Sequence, residues 1–350
     1  MPKVAVLAGD GIGPEVVGEA LKTLAAVESV FKTGIAVDQL PYGANHYLAT
    51  GVTLPPGEMQ RLGSAYDAIF VGALGDPRVP GNEHARDILL GMRFQLDLFV
   101  NERPARLFDD RLTPLKGKTT RDFDLMIFRE NTEGLYVSVG GMFKQGTPDE
   151  IAIAEELNTR KGVERIIRHA FQWARGNGKT RVTMADKANA IAAHGLWRRV
   201  FDEVGREYPD ITRDTRFIDA MAMDLIRTPE SFQVIVTGNL FGDILSDLAS
   251  MLVGGLGIAP SANRHPGKIA MFEPVHGSAP PLVGKDAANP MAAILTLAML
   301  LETLGAADAA AAVERAVRDA IAAGVTTADL GGSHGMRAVG DYIADRVEAR

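Results

Sequence analysis

An α/β fold built on buried parallel strands is predicted by three features of this sequence. The apolar runs at 3–8 and 68–73 are continuous, not alternating, and each runs into glycine, as strands covered on both faces do. Helix-periodic segments follow them in turn, which is the alternation that lays helices against a parallel sheet. The third feature is size: 350 residues, 46% of them hydrophobic, suffice for a sizeable core in two domains or one large α/β unit.

The chain opens as strand, turn and helix. Lys3 to Ala8 is the strand and Gly9-Asp10-Gly11-Ile12-Gly13-Pro14 the turn; Pro14 suits a first helical turn, where its missing N–H is not needed. The turn looks like a phosphate loop, yet its glycines alternate and Pro14 occupies the place of the third glycine in G-x-G-x-x-G, so a classical Rossmann fingerprint is rejected. A tight strand-to-helix turn and a loop touching a ligand both remain open. Further strands are predicted at 124–128, 181–185, 216–218, 234–237 and 269–272, and helices near 13–30, 161–175, 190–206, 220–227, 240–252, 290–304, 308–323 and 335–348. The segment 290–304 is the most apolar helix, falls short of the roughly 20 residues that cross a bilayer, and reads as a core helix. The Ala-rich run 306–312 is helix composition and not a linker.

Between Leu135 and Lys161 the pattern changes. Two strands are predicted, at 136–139 and 150–154, around Gly140-Gly141 and Gly146-Thr147-Pro148. An isolated hairpin is marginal in water, so the expectation is an arm that pairs with another subunit.

Composition excludes several function classes. A net charge of -7 and a pI near 5.6 lack the concentrated positive charge that nucleic-acid binding requires. Without cysteine there are no disulfides or thiolate metal sites, and the cytoplasm is the expected compartment. Residues 1–8 offer too short an apolar run for a signal peptide, and no segment predicts a membrane span.

The chemistry centres on Thr237 to Leu248, directly behind the apolar strand Val234-Ile235-Val236. On a helix Asp243 and Asp247 are i,i+4 neighbours, and like charges at that spacing repel unless a cation lies between them. Carboxylate oxygens suit a hard ion such as Mg2+ or Mn2+; the plainer alternative is a solvated helix face. Asp219, after another strand, is a candidate third acid. Arg93, Arg103 and Arg129 present planar forks that would hold a di- or tricarboxylic acid if they converged, and singly read as salt-bridge residues. Lys187 ends a strand candidate, where α/β folds collect ligands, and beside a cation it would serve as a base; alone it reads as a surface lysine. Tyr136 is a candidate proton donor or a packed strand tyrosine. His276 lies in the loop Glu273-Pro274-Val275-His276-Gly277-Ser278-Ala279-Pro280, which offers backbone groups and a flat ring to a nucleotide.

These pieces occur in a recognisable order. Gly9 to Glu15, Arg129-Glu130-Asn131-Thr132-Glu133-Gly134, Asp186-Lys187-Ala188-Asn189, Asp219-Ala220-Met221-Ala222-Met223, Thr237 to Leu248, Glu273 to Pro280, Asn289-Pro290 and Asp329-Leu330-Gly331-Gly332 span nearly the whole chain. The set resembles the isocitrate/isopropylmalate dehydrogenase family of β-decarboxylating dehydrogenases. That resemblance implies a two-domain α/β fold with a large mixed sheet, divided as 1–100 plus 255–350 and 101–254, with a dimer arm near 135–161. It implies oxidative decarboxylation of a small 2-hydroxy acid with NAD or NADP and Mg2+ or Mn2+, by a homodimer whose subunits share active sites. Arg93, Arg103, Arg129 and Asn189 would hold the substrate, and Asp243, Asp247 and the Asp219 contributed by the other subunit would hold the metal. Lys187, directly or through water, would take the hydroxyl proton, and Tyr136 would protonate the enol. Glu273, His276, Gly277, Ser278, Ala279, Pro280 and Asn289 would line the nucleotide.

Substrate choice within the family falls on the helix before Arg93. Leu89 and Leu90 there suit an aliphatic branch, favouring 3-isopropylmalate, with 4-methyl-2-oxopentanoate as product in leucine biosynthesis. Arg86, Ala190 and the loop Gly75 to Pro80 depart from that pattern and keep tartrate or D-malate as the alternative, ahead of homoisocitrate and isocitrate. Pro281 stands where NAD-dependent members carry an acid; NAD is nonetheless expected, since only Arg337 offers itself to a 2′-phosphate. A silent regulatory relative is disfavoured because every catalytic candidate is present, and a phosphotransferase because no P-loop occurs.

Overall fold

The computed structural model describes residues 1–349. Its strands are β1 (Lys3–Gly9), β2 (Ala36–Leu40), β3 (Ala68–Ala73), β4 (Val100–Arg106), β5 (Asp124–Glu130), β6 (Gly140–Phe143), β7 (Ile151–Ala154), β8 (Arg181–Asp186), β9 (Thr212–Phe217), β10 (Val234–Thr237), β11 (Ala262–Arg264) and β12 (Ala270–Phe272). The helices are α1 (Gly13–Phe31), α2 (Ala44–Thr50), α3 (Glu58–Ser64), α4 (Glu83–Gln95), α5 (Arg160–Gly176), α6 (Gly195–Gly205), α7 (Ile218–Arg227), α8 (Asn239–Leu252), α9 (Met291–Thr303), α10 (Ala307–Ala322) and α11 (Met336–Glu348). Ten strands make a large mixed sheet, and β6 with β7 a separate antiparallel pair. The fold is mixed α/β, as the sequence predicts. No helix among the described residues is long and apolar enough to cross a membrane.

Two compact units divide the chain. One comprises Met1–Leu98, Arg103–Asp124 and the chain from Ala249 onward; the other comprises Phe99–Glu102 and Leu125–Leu248.

In the first unit the strand order is β2-β1-β3-β12-β11, parallel except where β11 runs against β12. All six residues of β3 are buried, which accounts for its unbroken apolar run. Helix α1 starts with Pro14 in its first turn and buries Val16, Val17, Ala20, Leu24 and Val27, one stripe at helical spacing. Helix α9 is apolar all round and has ten buried residues, so it packs as the core helix its composition predicts. Gly9 has φ 76°, and a Cβ there would lie 2.0 Å from the Ala73 carbonyl oxygen, so the first turn requires glycine.

In the second unit β5, β10, β8 and β9 run parallel in that order. Helices α5 and α6 bury Ile166, Ile167, Ala170 and Phe171 with Val200, Phe201 and Val204 in the same core as Val182, Met184, Val234 and Val236. Register matters here: Thr237 of β10 pairs with Arg129 of β5 on one side and Ala185 of β8 on the other. The carboxyl ends of three strands therefore stop level, the place where parallel sheets build ligand sites.

The structure differs from the sequence-based expectation in several elements. Residues 136–139 are not a strand: Leu135–Val137 form a 3-10 turn and Ser138 is left-handed, so the first arm strand lies at Gly140–Phe143, on the glycines expected to turn. The 216–218 strand is Thr212–Phe217, and Ile218 already opens α7. The helix expected from 190 begins at Gly195, after a 3-10 turn at Ala192–His194. Strands β2, β4 and β11 and helices α2 and α3 escape the sequence reading. Strand β2 is a mostly exposed edge, β4 contains Pro104, and α2 and α3 are two turns each, so none carries a clear period.

Candidate active site

In the first unit, α4 carries Leu89, Leu90 and Arg93. Leu89 packs against the core of Tyr42, Met59, Leu62, Ile88 and Met92, whereas Leu90 is half-buried outside it. Arg93 is buried; its Nη2 donates to Glu273 Oε1 at 3.0 Å, and Asn263 Nδ2 donates to the same oxygen at 2.9 Å. Two residues assigned from sequence to different ligands thus touch each other. The Arg93 Nε–H is buried without a partner, an unspent donor of the kind a carboxylate would take up. Arg103 is buried in β4.

The loop after β12 is stitched to the first turn by Ile12 N–H donating to the Ser278 carbonyl at 2.9 Å. Ala279 is left-handed (φ 37°), and Pro280–Leu282 close a 3-10 turn. The Gly277 carbonyl can only accept, so the His276 ring carries its proton on Nδ1, 3.0 Å away, and Nε2 is a shielded acceptor with no partner. Burial pushes the His276 imidazolium downward, which leaves a neutral ring. Asn289 stands just before α9, its Oδ1 accepting from Met291 N–H at 3.0 Å, while its amide donates to Asp329 at 3.0 Å. The first turn holds a residue that sequence reasoning passed over. Asp10 is buried, accepts from the Ala44 and Gly75 N–H groups at 2.6 and 2.8 Å, and meets His84 Nε2 at 2.7 Å.

In the second unit, Arg129 comes from the end of β5 and is almost wholly buried. Its Nε and Nη2 donate to Asn239 Oδ1 at 3.0 and 2.8 Å, and its Nη1 pairs with Asp243. The Tyr136 hydroxyl donates to the other Asp243 oxygen at 3.0 Å. Glycine at 242 lets α8 come this close, since a Cβ there would lie 2.5 Å from Arg129 Cβ. Asp247 follows one turn along α8. Arg129, Tyr136 and Asp243 are therefore one cluster.

Lys187 and Asp219 form another. Lys187 Nζ donates to Asp219 Oδ1 at 2.5 Å, and that bond holds the Asp219 carboxyl below the usual carboxylate range. Asn189 is exposed on the turn after β8. Sequence reasoning also missed His194, whose Nδ1 lies 2.9 Å from the Lys187 N–H and whose Nε2 lies 2.8 Å from Glu156. A histidine in an Ala-rich stretch gives no signal until the chain turns back.

Carboxylate oxygens at Asp243 and Asp247 fit a hard divalent ion in donor type and spacing. Asp219 and Asp243 are both engaged within the chain, by Lys187 and by Arg129 with Tyr136, and no group of three or more acids or histidines suited to a metal occurs among the described residues.

Comparison with known proteins gives a consistent result. The sequence model of the isocitrate/isopropylmalate dehydrogenase family matches residues 3–344. The chain is 45% identical over 350 residues to a 3-isopropylmalate dehydrogenase of Thermobifida fusca, covering 99% of this chain and 97% of that one. It is also 45% identical over 348 residues to the 3-isopropylmalate dehydrogenase of Nocardia farcinica, covering 99% and 100%. Among solved structures, isocitrate dehydrogenase from Methylococcus capsulatus superposes with a TM-score of 0.89 at 39% identity, covering 99% of this chain and all of that one.

Proposed function

Because the chain belongs to the isocitrate/isopropylmalate dehydrogenase family, we propose that it oxidises and decarboxylates 3-isopropylmalate to 4-methyl-2-oxopentanoate in leucine biosynthesis. The observation that carries the substrate choice is α4, which sets half-buried Leu90 three residues from buried Arg93 and its unspent donor. An aliphatic branch and a carboxylate on one substrate match that pair.

The chain's own groups divide the work. Arg93, Arg103 and Arg129 grip carboxylates, with Arg129 oriented by Asn239. Lys187 takes the C2 hydroxyl proton, directly or through water. Tyr136 already presents its O–H as a donor, and it delivers that proton to C3 after carbon dioxide leaves. Asp243, Asp247 and Asp219 of the partner subunit would hold the metal, Mg2+ or Mn2+. When bound, a nicotinamide cofactor would supply the hydride acceptor for C2 and the metal a Lewis acid toward the C2 oxygen. His276, with the backbone of Gly277 to Pro280, Glu273 and Asn289, lines the nucleotide; the neutral His276 ring suits stacking on a base. We favour NAD, because Arg337, the cation available to a 2′-phosphate, lies beside Asp286 at 3.7 Å.

The helices bearing these acids support a homodimer with shared sites; a cytoplasmic location is proposed for it as a biosynthetic enzyme. Met223 and Ile226 on α7 and Ile244 and Met251 on α8 are each about half exposed or more, as are Val139 and Phe143 of the arm. Several large apolar side chains left exposed on these elements are what an interface would cover.

The test is NADH formation by purified protein with Mg2+ or Mn2+ on 3-isopropylmalate, D-malate, tartrate and isocitrate, repeated with NADP+. The expected kcat/KM is highest for 3-isopropylmalate with NAD+. A preference for tartrate or D-malate would keep the mechanism and reject the substrate.

A further inference from the structure

His194 belongs to none of the groups assigned above, yet it is buried and fully hydrogen-bonded. The Lys187 backbone N–H can only donate, so His194 Nδ1 accepts at 2.9 Å and the ring proton resides on Nε2, facing Glu156 Oε1 at 2.8 Å. Glu156 is itself placed by Asn158 Nδ2 at 3.0 Å, and Asn158 by Trp197 Nε1 at 2.9 Å. The hydrogen bond from His194, ahead of that from Asn158, holds the Glu156 carboxyl below its usual range against the effect of burial, so the anion that selects this tautomer persists. Phe241 meets the imidazole edge-on at a centroid distance of 5.5 Å. The turn itself closes through Ala190 and Ile191 N–H bonds to the Lys187 carbonyl at 2.9 and 2.8 Å.

Beside this turn lies a cavity of about 80 Å3, lined by Asp186, Ile191, His194, Trp197, Leu240 and Phe241. Asp186, just before Lys187, is held by Arg198 and accepts from Ala188 N–H at 2.9 Å, and the Lys187 N–H itself is anchored by His194. We infer that His194 is a positioning residue for Lys187, setting the backbone from which the lysine reaches its proton while Glu156 locks the imidazole tautomer. The inference rests on Lys187 acting as the base.

Two substitutions separate geometry from bulk. His194→Asn places an amide oxygen near the Nδ1 position and keeps an acceptor for Lys187, whereas His194→Gln fills more of the ring volume but carries its amide toward the Nε2 end. In steady-state assays of the full-length enzyme with 3-isopropylmalate, NAD+ and Mn2+, His194→Gln should lower kcat about tenfold, the worth of one positioning hydrogen bond, with substrate KM within about twofold. His194→Asn should stay within about threefold of wild type on the same scale. Equal loss in both, or greater loss in His194→Asn, would overturn the inference, because that is the order a space-filling role gives. Glu156→Leu, at a less buried position, covers the case in which the His194 variants do not fold; wild-type kcat in it would also overturn the inference. Lys187→Ala distinguishes the two levels. If it is inactive while His194→Gln turns over normally, only the positioning role fails; if it retains wild-type turnover, the base assignment falls and the positioning role with it.

Discussion

The buried pair Arg93–Glu273 shows how tightly single residues are committed. Both side chains are about nine-tenths buried, and Glu273 Oε1 accepts from Arg93 and Asn263 together. Replacing Arg93 with Met leaves the Glu273 carboxylate buried with one neutral partner, and breaking such a pair costs about 3 kcal/mol. Urea unfolding of Arg93→Met should show that loss, and Arg93→Met/Glu273→Gln should recover most of it. A single variant as stable as wild type would mean that the pair is solvated in solution. These contacts were not legible in the sequence. Arg93 and Glu273 are 180 positions apart, and nothing in either segment marks the other.

At the scale of elements, α8 against β5 is the decisive packing. Gly242 brings the helix onto Arg129, and the approach is what joins Arg129 to Asp243. Gly242→Ala places a methyl group 2.5 Å from the Arg129 side chain, and overpacking of this kind costs roughly 1–3 kcal/mol. The variant should melt at lower temperature, and its kcat/KM should fall by more than its folded fraction accounts for, since relief comes from moving Arg129. Unchanged kinetics would place the adjustment in the helix. The helix itself was legible, because Asn239 to Leu252 follows a strand and keeps helical spacing. The arm was legible only in outline: both of its strands lie in the stretch where the pattern changes, but local β-propensity at 136–139 yielded to the turn that sets Tyr136 against Asp243.

For the whole molecule, shared sites make a sharp prediction. Lys187 and Asp219 are paired with each other in one cluster, and Arg129, Tyr136 and Asp243 form another. If a site takes one cluster from each subunit, Lys187→Ala and Asp243→Asn chains are each inactive alone. Unfolded together and refolded, they should regain about a quarter of wild-type activity, because half of randomly assorted dimers carry one intact site of two. No recovery, with light scattering showing dimers, would mean that Lys187 and Asp243 serve a site from the same chain.

The sequence by itself determined the α/β class, most long helices, the buried strands and the family, because hydrophobic period and ordered motifs are local properties of the chain. It also named the acids, arginines and lysine to which the proposed chemistry is assigned. Only the tertiary structure decided which of them meet: Tyr136 with Asp243, Lys187 with Asp219 and His194, Arg93 with Glu273. Such contacts depend on strand register and on the direction in which a turn sends the chain, and both are settled by packing among residues far apart in sequence.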